Sequence, residues 1–416
     1  MSPKPRALLL ISIRTWIATA VALCVLEDAS AQDFLDAMTD KLAYTRDDGK
    51  MQAVLSVVSD LTLYAAEPPA QGLLFFNGDY FLAPRVSAFL DVQLGERLLL
   101  HGQLRADRGF DPGSEPGGQV RMDEYFLQYR VSDAKELNLR AGKYQTVFGS
   151  WAPRSLAWDN PLITAPDAYE NLIPITDGAA PASAAAFAAR RDTAANKATW
   201  VPIIWGPSYG TGAAALGRIN AFDYALEVKN VALSSPPETW DAIDNGSQGR
   251  PTATVRLGLQ PVPEWTLGTS FSRGPYLQES AQASLPTGTN VNDFYQTTRG
   301  LDAAYAHRDW QVWSELIYAT FDVPQVGKVD VLSGYIEAKY KIGPELWTAL
   351  RVNQSWFGDI PGSTTSWGRN TSGFDLGLGY RSSIHMEGKL QYSYMRQQGP
   401  DTDGNHLFAA QAIVRF

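Results

Sequence analysis

The chain has 416 residues, a formal net charge of −9 and one cysteine, Cys24. An acidic balance speaks against a nucleic-acid partner, and a lone cysteine excludes an internal disulfide framework and a cysteine-based metal centre. After Leu26 nothing approaches the run of about 18 apolar residues that a spanning helix needs, so a membrane protein this polar must be a closed β-barrel.

The first segment reads as a leader. Lys4 and Arg6 form a short basic head, and Thr15–Leu26 (TWIATAVALCVL) is an apolar stretch of signal-peptide length, interrupted just upstream by Arg14. Ala29, Ser30 and Ala31 make a small-residue cleavage site, which predicts a signal peptide over 1–31 and a mature chain from near Gln32. Acylation at Cys24 is the alternative, but Leu23 stands where a lipoprotein has a small residue. The leader holds Lys4, Arg6 and Arg14 against Glu27 and Asp28, a net +1, so the remainder carries −10. Residues 32–50 are a short segment ahead of a barrel domain over 51–416.

Strands follow in pairs. Met51–Tyr64 is read as the first, although its alternation is poor. In Pro84–Leu94, Val86, Ala88, Leu90, Val92 and Leu94 oppose Ser87, Asp91 and Gln93. After a tight turn at Gly95-Glu96, Leu98, Leu100, Leu104 and Ala106 oppose His101, Gln103, Arg105 and Asp107. Two such runs across a two-residue turn are a hairpin. Val120–Val131 and Leu137–Gln145 form the next. Further short turns fall at Asn220-Ala221, 261–264, 307–309, 343–345 and 382–384. Seven hairpins, the first strand and a closing strand give about sixteen, an even number as single-chain bacterial barrels have. A strand of about 11 residues, tilted by about 45°, spans the roughly 25 Å of a lipid-facing band.

The connections between hairpins are longer and rich in Gly, Pro, Ser, Asn and Asp: 65–83, 110–119, 234–250, 276–293, 322–330, 358–370 and 398–406. Short turns on one rim and long loops on the other are outer-membrane barrel topology, with the short turns periplasmic; a soluble all-β protein is the competing reading. Trp265, Trp310, Trp347, Tyr129 and Phe222 lie near the short turns, as an interfacial aromatic belt requires.

One connection exceeds the series. Residues 148–207 join the fifth and sixth strands and contain Trp151-Ala152-Pro153-Arg154, Trp158-Asp159 and an Ala-rich piece, Pro181–Ala195, with good helix formers. Folded inward it narrows the lumen; an external lobe or lid is the other possibility. Its candidate residues are Arg154, Asp159, Glu170, Arg190 and Arg191.

The run entering this connection, Leu139–Gly149 (LRAGKYQTVFG), resembles the "aGKf…fG" stretch of the phosphate-selective porin-like superfamily. Asn160-Pro161-Leu162-Ile163 with Tyr169-Glu170 is similar to the same neighbourhood. The resemblance implies a trimeric outer-membrane channel with this loop as its constriction. Phosphate-selective members line the eyelet with many Arg and Lys. This chain departs from that: lysine is scarce, and Arg154, Arg190, Arg191 and Lys197 are mixed with Asp159, Asp167, Glu170, Asp177 and Asp192. Phosphate selectivity is therefore not implied.

Alternation places charges on the lumen side: Asp91, His101, Arg105, Glu124, Arg140, Arg256, Glu315, Glu337, Lys339, Arg351, Asp375 and Lys389. An Arg or Lys facing mid-bilayer lipid costs about 2–4 kcal/mol. Such charges either bias ion passage or pair across strands and fill the wall. Lys143 breaks parity, which calls for a strand end or a bulge. The four histidines match no metal or hydrolase motif, so no catalytic residue, metal or cofactor is expected. In the last ten residues Phe408, Ala410, Ala412, Val414 and Phe416 share one face. A terminal Phe resembles the assembly signal read by the barrel-assembly machinery.

The expectation is a transmembrane antiparallel β-barrel in the outer membrane of a Gram-negative bacterium, set in lipid and passing small hydrophilic solutes or ions, as a possible homotrimer. A plugged barrel serving as scaffold or adhesin is the alternative.

Overall fold

The computed structural model describes residues 29–46, 49–66, 71–74, 80–108, 118–132, 136–192, 194–241, 251–399 and 404–416. The expected leader up to Asp28, with Cys24, lies outside them, as does most of the 110–119 connection. Ala29–Lys41 forms a helix, α1, so the expected cleavage site falls in its first turn. Ala43–Thr45 is a short strand, β1.

Sixteen barrel strands follow. They are β2 (Met51–Ala66), β3 (Tyr80–Leu94), β4 (Leu98–Asp107), β5 (Gln119–Arg130), β6 (Asn138–Tyr144), β7 (Gly210–Ile219), β8 (Phe222–Lys229) and β9 (Thr252–Val262). The second half is β10 (Trp265–Pro275), β11 (Tyr295–His307), β12 (Trp310–Val323), β13 (Gly327–Lys341), β14 (Leu346–Phe357), β15 (Thr371–Arg381), β16 (Met386–Gln397) and β17 (Asn405–Arg415). Each pairs antiparallel with the next, and β17 closes on β2 through Arg415↔Val58 to Leu407↔Ala66. Closure leaves no free edge along the seam, and β1 pairs with the part of β2 that extends beyond it, Gln52 to Val54.

Alternation decides what faces where. On β14, Leu350 and Val352 are exposed, while Trp347, Ala349, Arg351, Asn353 and Ser355 between them are buried. The same holds round the barrel: apolar side chains such as Leu90, Leu127, Leu257, Leu301, Ile336 and Leu376 cover the outside. Polar ones line the inside, the pattern of a barrel with lipid outside and water or packed chain within.

Two expectations need correction. Residues 322–330 are not a long loop. β12 and β13 continue through them to the pair Val323↔Gly327, and Gln325 takes a positive φ of 62° in the tight turn. Trp347 is not in the outer belt: it points inward and is 5% exposed, whereas Tyr129, Phe222, Trp265 and Trp310 are exposed outside. Trp265 packs on Tyr305 and Trp310 on Tyr340, with ring centroids 4.9 and 4.7 Å apart.

Candidate pore constriction

Residues 148–207 run into the barrel and back. They include two short helices, α2 (Asp167–Glu170) and α3 (Ala184–Arg190). The descent begins at Glu315 of β12. Its carboxylate accepts from the Ser150 amide and hydroxyl, from the Trp151 amide at 3.0 Å and from the Tyr169 hydroxyl at 2.5 Å. Gly149 is required here: its φ is +70°, and a Cβ would sit 2.6 Å from that hydroxyl. Arg154 then meets Glu337 at 2.8 Å and lies over the Trp313 ring at 4.2 Å. Lower still, Trp158 sits among Arg381 and Arg415, and Lys389 donates to the carbonyls of Ala157 and Asn160.

The chain turns at Pro161 and climbs. Gln391 accepts from the Thr164 amide at 3.2 Å, and Arg351 donates to the Thr164 carbonyl at 3.1 Å and hydroxyl at 2.9 Å. Asp167, at the start of α2, is buried, and burial with Asp375 nearby pushes its carboxyl up to about 7. Above it, Tyr169, Leu172, Ile173, Ile175, Phe187, Ile203 and Trp205 form an apolar core with Ile317, Ala319, Phe321, Val329 and Val331 of the wall. The segment is thus fastened to the β12–β16 side by polar anchors low in the barrel and by apolar packing near the long connections.

The wall beyond the seam, β2 to β4, stays open to it across a cavity of about 110 Å³, room for a few water molecules. Arg85 and Arg105 line it from the wall; Leu156, Asn160, Thr164 and Glu170 line it from the inserted segment. Arg85 pairs with Asp60 at 3.0 Å. Arg105 and Arg121 share Asp107 and Asp123, with contacts from 2.6 to 3.5 Å. A bulge makes this quartet possible. Gln103 pairs with Glu124 and Leu104 with Met122, so Asp123 is extra and both acids turn inward. Glu124 accepts from the Gln145 amide at 2.7 Å.

The remaining sequence candidates are placed as follows. Arg140 donates to Gln128 at 2.8 Å and covers the Phe126 ring at 4.3 Å. Arg256 bridges Asp223 and Asp302 at 3.0 and 2.6 Å. Glu337 lies between Arg154 and Arg351, and Arg351 also binds Asp375 at 2.9 Å. Lys339 places its ammonium 4.3 Å from the centre of the Trp347 ring. Asp159 is exposed, with Arg415, Lys389, Glu387 and Arg381 as its charged neighbours. Arg190 and Arg191 are not brought to the narrow part. Arg190 binds Thr176 at 2.9 Å, and Arg191 binds the Ser366 carbonyl among the long connections. There a larger cavity of about 510 Å³ is lined by Asp177, Arg190, Trp200, Trp205 and Glu238. Burial pushes the Asp177 carboxyl up to about 6.

Lys143 keeps its outward parity, paired with Tyr125, yet is buried. β6 ends one residue later, and the ammonium reaches the Met122 carbonyl beside the bulge at 2.9 Å and Asp241 at 2.7 Å. Alternation missed Asp60, Arg85, Arg121, Asp123, Glu227, Lys229 and Glu387 on the inner face. The adjacent acids Asp123-Glu124 were the visible sign of a bulge.

No family model matches the chain, and no curated protein matches it in sequence. Solved structures match its fold. The outer membrane channel DcaP of Acinetobacter baumannii aligns with TM-score 0.58 and 10% identity, covering 90% of this chain and 99% of that one. OmpF of Salmonella typhi gives 0.58 and 11%, covering 90% and 100%. An anion-selective porin from Comamonas acidovorans gives 0.54 and 9%, covering 88% and 100%. At these identities the likeness establishes the architecture, a closed antiparallel sixteen-strand barrel of the kind found in outer-membrane porins.

Proposed function

We propose that the protein is an outer-membrane porin, a passive channel for small hydrophilic solutes or ions, narrowed by residues 148–207. The observation that carries this reading is the inserted segment, held to one wall by Glu315, Arg351 and Lys389 while a water-sized cavity remains beside β2–β4. Exclusion by diameter and by lumen charge needs no covalent chemistry. Arg105, Glu124, Arg140, Arg256, Glu315, Glu337, Lys339 and Arg351 are the wall residues assigned to the pore; Arg154, Asp159 and Glu170 are assigned to the constriction.

The same reading makes 1–31 a signal peptide, puts the short turns and 32–50 in the periplasm, and sets the barrel in outer-membrane lipid with Phe416 as the mark read by the assembly machinery. Its place in the phosphate-selective porin-like superfamily, without that selectivity, and a homotrimeric assembly are parts of it. Folded, heat-modifiable protein placed in a planar bilayer gives stepwise conductance; its absence overturns the reading. A plugged scaffold barrel is favoured by one feature, the apolar core filling the lumen near the long connections, and predicts no current.

A further inference from the structure

Along most of the inner wall, positive charge is cancelled where it stands. Arg85, Arg105, Arg121, Arg154, Arg256 and Arg351 each meet a carboxylate at 3.0 Å or less. Near the short turns at the ends of β13, β14, β15 and β17 the arrangement differs. Lys339, Trp347, Arg381, Trp158 and Arg415 follow one another as cation, indole, cation, indole, cation. The ammonium of Lys339 lies 4.3 Å from the centre of Trp347. Arg381 lies 5.8 Å from Trp347 and 4.5 Å from Trp158, and Arg415 lies 3.9 Å from Trp158.

An indole attracts a cation through its quadrupole and leaves the unit charge uncancelled, which a carboxylate does not. Among the described residues, the Lys339 ammonium has no hydrogen bond or ion pair, and the Arg415 guanidinium donates only to the Ile384 carbonyl at 2.8 Å. Arg381 pairs with Glu387, which also meets Lys389 at 3.3 Å. Asp159 faces Arg415, Lys389 and Arg381, and Asp60, which pairs with Arg85 at 3.0 Å, also faces Lys389. Counted over side chains, five cations, Lys339, Arg381, Lys389, Arg415 and Arg85, therefore stand against three carboxylates, Glu387, Asp159 and Asp60, an excess of two positive charges in a chain of net −9. Lys339, Arg381 and Arg415 all remain partly exposed.

We infer that this indole-backed rim is a binding station for small oxyanions, carboxylate or phosphate, and that it sets the sign of the channel's selectivity. The inference rests on the channel reading for its effect on current, but not for binding. The probes are sodium acetate and inorganic phosphate, on the full barrel and on the double variant Lys339→Gln, Arg415→Gln, which breaks no ion pair. In a salt gradient the parent is anion-selective and the double variant loses about two- to threefold in anion-to-cation permeability. Asp159→Asn moves the ratio the other way.

Acetate or phosphate added on the short-turn side reduces the parent current. Block by acetate alone assigns the station to carboxylates, and block by phosphate alone assigns it to phosphate. Unchanged reversal potential in a folded, heat-modifiable double variant, or block by neither anion, overturns the inference. If no current is seen at all, the channel reading falls separately. Anion-dependent tryptophan fluorescence in detergent micelles, present in the parent and absent in the double variant, then still decides for or against the station.

Discussion

The β2–β5 wall and the short-turn rim both present guanidinium groups to the lumen, yet they hold them in opposite ways. On the wall, Arg105 and Arg121 are locked to Asp107 and Asp123, so the quartet is electrically neutral and geometrically stiff. On the rim, Arg415 and Lys339 rest on indole faces and keep their charge. A list of lumen charges does not reveal selectivity: what matters is whether each charge is neutralised by its support. The first kind of support fixes the width of the lumen. The second leaves charge free to act on a charged ligand.

If that contrast holds, variants of paired sites cost stability, whereas variants of indole-backed sites change current. The largest effect is expected at Arg351→Ala. It strands Glu337 and Asp375 in a buried site and should cost about 3–5 kcal/mol, read as a lower urea midpoint of the folded barrel. A midpoint equal to the parent's would remove the structural reading of the paired wall. Gly149→Ala forces a positive φ and a clash with Tyr169; about 1–3 kcal/mol is lost, together with broader, noisier single-channel currents as the inserted segment loosens.

Glu315→Gln keeps an acceptor oxygen for Ser150 and Trp151 but removes the charge and the acceptor for the Tyr169 hydroxyl, so a loss nearer 1–2 kcal/mol is expected in the same unfolding measurement. The smallest is Trp158→Leu. Cation–π support of Arg381 and Arg415 disappears, about 0.5–1 kcal/mol each, while reversal potential shifts more than stability does. A large stability loss with unchanged reversal potential at Trp158 would erase the distinction between the two regions.

Much of the architecture was legible because a closed barrel forces period-two alternation and short turns on every strand pair. Leu350, Arg351 and Val352 announce their faces without any knowledge of neighbours. The tight turn at Gln325 was hidden because Asp322, Pro324, Gly327 and Asp330 read together as loop residues, and composition cannot distinguish a three-residue turn from a nine-residue loop. Trp347 was misjudged by its nearness to a turn, although its parity with Ala349 and Arg351 already pointed inward. Asp60 was missed because the alternation of the first strand is weak; Arg85 shares the parity of Ser87 and Asp91 but stands at the start of its run, before the alternation is established. The indole-backed rim was illegible for a different reason. Its members come from four strands and from a segment some 180 positions earlier in the chain than Lys339, and no local period links Trp158 to Arg381 or Arg415.

The seam joins residues from opposite ends of the barrel chain: the Val57 amide donates to the Phe416 carbonyl at 2.7 Å, and the Phe416 amide returns a bond at 3.0 Å. Every other strand pair can form between sequence neighbours as soon as both strands exist, but this one spans nearly the whole domain. Closure is therefore the step with the largest loop to order and must wait for β17. β17 ends at Arg415 while β2 runs on to Met51, so closure alone leaves a stub of unpaired strand. β1 covers it, with the Leu55 amide donating to the Leu42 carbonyl at 2.9 Å. The few residues before the barrel thus work as a clasp, sealing an edge that would otherwise offer itself to a second chain during assembly.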